Sequence, residues 1–383
     1  MAPRPLDYAP PDRRLSKRRW LRRSILLMIL GILCGAAFRF GPPAWQRYKT
    51  WRDQRQDELN YTLLMAAFDG DEAKVRRALR QGANPNVDLS LLSTARQSQI
   101  FASDAILTPT GTPLFSLAQH APTGSLRIAR MLVDAGADVN YSFGTGDMTN
   151  TALYWATRRK DEALALYLIE RGANVNAAPQ GGTTFRDSPL HCAVTMPKVV
   201  RAMIEKGADV NLRIGNNSGT APTPLGEAVD ADILESVDLL LQAGADPDIA
   251  NSSGNPPLYS AAQNGNEQIV KRLLAAHANP NATGDLGRTA LAADHLTVGC
   301  AKLLLDAGAN PNAAMNLGTT PLHIAALRGE VDLAKLLIRA GATVNAADND
   351  GNTPLDYATT QTMRHTLLKA RTQPKQKDSS RDR

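Results

Sequence analysis

Cysteine is almost missing from this 383-residue chain, with three copies at positions 34, 192 and 300. Histidine is nearly as sparse, and the residues His120, His277, His295 and His365 fall at no spacing that would bring three to one metal ion. No glycine-rich phosphate loop of the Walker type occurs, and no serine or cysteine stands with a readable partner base. These absences leave no catalytic, cofactor-binding or metal-binding residue to nominate, and no small-molecule substrate is expected. Long hydrophobic runs are scarce as well. The one near residues 25–38 is about 15–17 residues long, a little short of the usual 20 for a membrane helix.

Charge of one sign is confined to the ends. Residues 1–23 carry eight basic and two acidic side chains, a net +6 that equals the formal charge of the whole protein. Residues 59–363 hold 23 Lys/Arg against 30 Asp/Glu. An acidic middle is a poor match for a phosphate backbone, so nucleic acid is not an expected partner.

What is present is a repeated unit. Residues 320–351 contain two short helical patterns, Leu322-Ile324-Ala325-Ala326-Leu327 and Val331-Leu333-Ala334-Leu336-Leu337-Ile338, parted by Arg328-Gly329-Glu330. Thr320 stands where an N-cap belongs, Pro321 at the first helical position, and Gly341 just after the second helix. Two helices of about eight to ten residues cannot bury their apolar faces alone and must stack on copies. The opening recurs as Tyr61-Thr62-Leu63, Thr112-Pro113-Leu114, Thr151-Ala152-Leu153, Ser188-Pro189-Leu190-His191, Thr223-Pro224-Leu225, Pro256-Pro257-Leu258 and Thr289-Ala290-Leu291. The closing turn recurs at Gly82, Gly136, Gly172, Gly207, Gly244 and Gly308, each followed by Ala and ending in Asn or Asp. His277 departs from it, at a left-handed position that costs a non-glycine residue about 1 kcal/mol.

This unit resembles the ankyrin repeat, with its period near 33 residues, its Thr-Pro-Leu-His opening and its Gly-Ala-x-x-Asn turn. The resemblance implies an all-α repeat solenoid, an ankyrin array of about nine helix-turn-helix units with finger loops. It further implies binding of protein partners without naming one, and it gives His191 and His323 a structural role between neighbouring turns. Cys192 and Cys300 would then lie about three units apart, about 30 Å at 8–10 Å per helix spacing. A disulfide needs Cα atoms within about 7 Å, so no intrachain bridge is expected.

The chain divides into a basic cytoplasmic tail (1–23), a transmembrane anchor (24–40), a helical linker (41–59), the ankyrin domain (60–366) with an insertion near 87–111, and a disordered basic tail (367–383). Arg22, Arg23 and Arg39 can extend the short anchor by snorkelling, and Trp20 and Trp45 flank it as interfacial residues. A buried globular helix is opposed by those same flanks. Cleavage as a signal peptide at Gly35-Ala36-Ala37 stays open, and would yield a secreted soluble binder or effector. The lysine and arginine bias keeps the N-terminus cytoplasmic and places the array on the periplasmic or other extracytoplasmic side. After Gly41-Pro42-Pro43, the residues Trp45, Tyr48, Trp51, Arg52 and Arg55 share one helical face. That face suits the membrane interface or a plain spacer.

Departures from the repeat mark the candidate site. Insertions in solenoids collect on one face, often the binding face, and here the fingers of the N-terminal half are the long ones. They carry Tyr141, Phe143, Met148 and Phe185, while Tyr154, Trp155, Arg158 and Arg159 lie on the neighbouring first helix. Aromatics are 5% of the chain, so this concentration of hot-spot residue types nominates those eight for protein binding. The alternative is that the finger aromatics fold back on their neighbours and that one or two helix aromatics are core. An enzyme hidden in the insertion is a further alternative, weakened by its lack of His, Cys and Glu.

Overall fold

The computed structural model describes residues 42–94, 97, 109–120, 125–143, 150–177, 187–213, 222–251 and 253–372. The anchor at 24–40, the basic tail at 1–23, most of the insertion, Met148, Phe185 and residues 373–383 lie outside them. Among the described residues, no helix is long and apolar enough to cross a membrane.

Helix α1 (Pro42–Asp69) opens on two prolines, which suit a first turn that needs no N–H partners, and pairs with α2 (Glu72–Arg80). It runs unbroken through positions 59 and 60, so linker and first unit share one helix. The pairs that follow are α3 (Pro113–His120) with α4 (Ser125–Asp134), α5 (Ala152–Arg158) with α6 (Glu162–Glu170), and α7 (Pro189–Ala193) with α8 (Pro197–Glu205). Next come α9 (Pro224–Asp230) with α10 (Leu234–Gln242), and α11 (Pro257–Gln263) with α12 (Glu267–Ala275). The array continues with α13 (Val298–Asp306), the pair α14 (Pro321–Arg328) and α15 (Val331–Arg339), and α16 (Gln361–Thr372). First helices pack on first helices and second on second, giving two layers. The apolar seam between them is one continuous core from Leu63 to Leu367, in which Leu153, Leu190, Leu225, Leu240, Leu322 and Leu337 are wholly buried.

Two units lack a full first helix. At Thr289-Ala290-Leu291 only a 3-10 turn, Ala290–Ala292, forms before α13. The Thr289 side chain makes no cap bond there, and Asp294 just beyond is held by Arg288 at 3.1 Å and by Arg328 of the next unit. At Thr353 the backbone N–H and hydroxyl donate to Asp356 at 2.8 and 2.7 Å, which closes a turn in place of a helix.

Asparagines at the ends of the closing turns stitch unit to unit. Asn140 accepts from the Asn174 N–H at 2.7 Å and donates to the Gly172 carbonyl at 3.1 Å. Asn176, Asn211, Asn281 and Asn312 repeat this pair of bonds to the unit that follows. Asp248, at the same place, keeps the bond from the Asn279 N–H at 2.8 Å but has no amide with which to donate. The turn that follows Asp248 is the one where His277 stands for glycine, at φ 65°.

His191 and His323 also couple units. Each closes a capping box with the residue three before it, Ser188 or Thr320. The other ring nitrogen reaches the next unit, at 3.0 Å from the Pro222 carbonyl for His191 and 3.2 Å from the Asn352 carbonyl for His323. Burial pushes the His191 pKa below the ordinary imidazole value, and does the same for His120. A lowered folded pKa means that the unfolded chain takes up the proton first, so stability is full above about pH 6.5 and falls as pH drops through the histidine range. Denaturant midpoints should decline from about pH 7 to about pH 5, and His191→Gln should flatten that decline while lowering the midpoint at pH 7.

Candidate protein-binding surface

The eight nominated residues separate once the chain is folded. Met148 and Phe185 lie outside the described residues. Tyr141 immediately precedes, and Phe143 belongs to, a two-stranded antiparallel ladder, β1 (Ser142–Phe143) with β2 (Asn150–Thr151), in which Phe143 pairs with Asn150. Their rings fold back onto Phe115 of α3, at centroid distances of 6.2 Å for Tyr141 and 5.6 Å for Phe143. The Tyr141 hydroxyl donates to Asp88 at the start of the insertion. Both side chains are half-buried, so Tyr141 and Phe143 pack on their neighbours as the fold-back alternative has it, while part of each ring stays accessible.

Gly111 shows how close that packing is. It sits at φ 60°, and an added Cβ would meet Tyr141 Cε1 at 2.9 Å and both Phe115 Cδ1 and Phe143 Cβ at 3.1 Å. Gly111→Ala combines a left-handed backbone penalty with overpacking, a cost of about 1–3 kcal/mol. A matching drop in the thermal midpoint, with the rest of the array still helical by circular dichroism, is the expected result.

Helix α5 carries the remaining four. Thr151 caps it by accepting from the Tyr154 N–H at 3.3 Å. Tyr154 is 1% exposed, so it belongs to the core and offers no ring to a partner. It meets Trp155 edge to face at 5.4 Å, and burial pushes its phenol pKa up to about 12. Trp155 is half-buried, whereas Arg158 and Arg159 at the end of the helix are exposed. The Arg158 guanidinium donates to the Tyr154 hydroxyl at 3.0 Å and lies 3.6 Å from the Asp187 carboxylate of the next unit. Arg159 donates to the Gln119 carbonyl of α3 at 2.7 Å. The first-helix layer thus holds Arg158 and Arg159 at its surface, each tied to a neighbouring unit, with Trp155 half-buried beside them against the core.

Acidic groups that the sequence reading passed over adjoin this cluster. Glu227 of α9 has its pKa raised by burial and by the nearby Asp187 and Asp230 carboxylates. Cys192 of α7 lies in the same layer, and burial pushes its thiol up to about 12, which makes it an inert packing group. A second mixed cluster sits further along, where Asp294 joins Arg288 to Arg328 and Arg288 lies 3.5 Å from the Tyr259 hydroxyl. The usable signal was position within the unit, because Arg159 and Arg328 fall at equivalent places after their opening motifs. Among the described residues no group of three His, Cys, Asp or Glu is placed to hold a metal ion.

Stacked helix pairs joined by turns and presenting a continuous first-helix layer define a helical repeat solenoid, a class built for binding proteins along an extended surface. The family described as "Ankyrin repeats (3 copies)" matches residues 225–315 and 290–378, and that described as "Ankyrin repeat" matches 149–178 and 186–214. The chain belongs to the ankyrin repeat family. Protein PhlB of Serratia liquefaciens is 35% identical over 120 residues, which covers 31% of this chain and 50% of that protein. Ankyrin repeat and SOCS box protein 16 of Homo sapiens is 29% identical over 281 residues, covering 64% of this chain and 59% of that protein. The ankyrin repeat domain of human ASB11 superposes with a TM-score of 0.51 at 28% identity, over 59% of this chain and all of that domain. The chain spans half of PhlB and 38% of the putative ankyrin repeat protein FPV031 of Fowlpox virus.

Proposed function

We propose that this protein is a membrane-tethered scaffold that binds a protein partner through the N-terminal half of an array of about nine ankyrin units. The observation that carries the binding reading is the survival of Arg158 and Arg159 at the surface of the first-helix layer, with Trp155 half-buried beside them, while Tyr141 and Phe143 are partly and Tyr154 wholly taken up by packing. Tryptophan and arginine dominate interface hot spots, and the two arginines are already held by Tyr154, Asp187 and Gln119, which lowers the ordering entropy that binding must overcome. Met148 and Phe185, nominated with them from the sequence, lie outside the described residues.

The tether rests on the apolar run at 24–40 and its basic flank, and the flank's charge bias puts the array outside the cytoplasm. Confinement to a membrane raises the local concentration of array and partner without any new contact. The test is membrane topology, with paired reporter fusions after Trp51 and after Arg371 and the apparent mass of the membrane fraction. Both fusion points outside the cytoplasm on an intact chain is the expected result. Cytoplasmic fusion points would reverse the orientation, and a shortened soluble product would replace the tether by a secreted binder.

A further inference from the structure

From Trp45 onward the first turns of α1 stand largely in solvent, with Thr50 and Trp51 lining an open groove opposite Leu91, Leu92 and Ser93. Every residue from Trp45 to Gln56 is exposed, yet the same helix continues without a break into the wholly buried Leu63 and Leu64. Its base is pinned. The Ser93 N–H and hydroxyl donate to the Asp57 carboxylate at 2.9 and 2.7 Å, and Gln56 donates to the Gly82 carbonyl at 3.0 Å. Residues 45–56 therefore form a rigid arm about 18 Å long, at 1.5 Å per residue, projecting from the first unit.

One face of the arm is an aromatic ladder. Trp45, Tyr48 and Trp51 are 49%, 36% and 53% exposed, with ring centroids 5.8 Å and then 6.1 Å apart. Arg55 lies 5.5 Å over the Trp51 ring. Arg47, Lys49, Arg52 and Arg55 surround the ladder, with Asp53 as the acidic residue among them. Between Trp45 and Glu58 there is no Leu, Ile, Val, Met or Ala, so the arm has no aliphatic seam of the kind that a helix–helix contact or a second copy would need. Amphipathic rings flanked by cations match instead the headgroup layer of an anionic bilayer, where tryptophan and tyrosine concentrate and lysine and arginine are drawn to the surface.

We propose that the Trp45–Tyr48–Trp51 face lies in the headgroup layer of an anionic membrane, so that α1 sets the distance and angle at which the array is held. The proposal rests on the reading of residues 24–40 as an anchor, whose end lies only a few residues before Trp45. Because α1 is continuous into the first unit, lipid contact at the arm fixes the orientation of the first-helix layer as well as its height.

The test uses the full chain reconstituted into vesicles of phosphatidylcholine and phosphatidylglycerol whose acyl chains are brominated close to the headgroup. Tryptophan emission is compared between the wild type and Trp45→Phe/Trp51→Phe, which isolates the signal of two exposed residues whose loss leaves the core intact. The expected result is a difference spectrum that is blue-shifted, quenched by the brominated lipid and protected from aqueous iodide, with protection lost in purely zwitterionic vesicles. If the protein sediments with the vesicles while the difference spectrum is quenched by iodide and untouched by bromine, the arm proposal fails and the anchor stands. Protection from both quenchers would mean that protein covers the face, which also overturns the proposal. A chain left in the supernatant would overturn the anchor and the arm together.

Discussion

Tyr154→Ala should lower the stability of the array by about 3–5 kcal/mol, the range for truncating a large buried aromatic, with the denaturant midpoint falling and the slope unchanged. The side chain is 1% exposed and bears on Trp155, so its loss leaves a cavity in the first-helix layer between α3 and α7. Tyr154→Phe keeps the ring and removes only the hydroxyl that accepts from Arg158 at 3.0 Å, a change of about 1 kcal/mol. The ratio of the two effects identifies the role. A core tyrosine gives a large drop for alanine and a small one for phenylalanine, whereas a residue that served only a partner would leave both midpoints near the wild type and weaken association alone. Urea titrations of the three proteins, followed by circular dichroism, make the measurement.

The same residue shows how much was legible beforehand. Tyr154 stands three places after Thr151, and His191 stands three places after Ser188, as Tyr259 does after Pro256 and His323 after Thr320. All four are buried, because that position of the first helix points into the seam where neighbouring units meet. Superposing the units of this one sequence would have moved Tyr154 from the surface to the core. The Asn ladder was legible for a similar reason, since its residues recur at fixed places and every copy meets the same backbone of the following unit.

Finger packing was not legible in that way. Tyr141 and Phe143 reach back to Phe115 and Asp88, residues from a different unit and from an insertion that no other unit repeats. Periodicity describes what every unit shares, and a contact made once leaves no period. The missing first helix after Thr289 is a different case and was legible, because the second helix α13 starts at Val298, nine positions after Thr289, whereas α15 starts at Val331, eleven positions after Thr320, so the shorter unit has no room for a full first helix. The exposed first half of α1 was half legible. The one-sided aromatic spacing could be read directly, but the exposure of residues 45–56 among the described residues depends on where the first unit begins to bury the helix.

Arg158→Glu with Arg159→Glu should reduce partner affinity by about two to three orders of magnitude, if each arginine contributes about 2 kcal/mol as hot-spot arginines do and part of that is shared. Folding should weaken modestly, by about 1–2 kcal/mol, because the buried Tyr154 hydroxyl loses the bond from Arg158. The exposed Arg158–Asp187 pair at 3.6 Å contributes about 0–1 kcal/mol, and the Arg159 bond to the Gln119 carbonyl belongs to the same surface. Reversal acts beyond the deletion of two contacts, because a carboxylate in place of the Arg158 guanidinium would face the Asp187 carboxylate with Glu227 and Asp230 close by, turning a mixed patch into an acidic one. A partner selected for a tryptophan flanked by two cations presents acidic or carbonyl groups, so repulsion adds to the lost bonds. The measurement is site-specific photo-crosslinking from the Trp155 neighbourhood in intact cells, scored against the same array bearing a distant reversal at Lys302. Loss of the crosslinked species for the double variant alone, with the array still fully folded at the assay temperature, would place the partner on this layer. Equal crosslinking in both variants would move the binding surface away from α5 and toward the Arg288–Asp294–Arg328 cluster in the C-terminal half, where the next pair of reversals would be made.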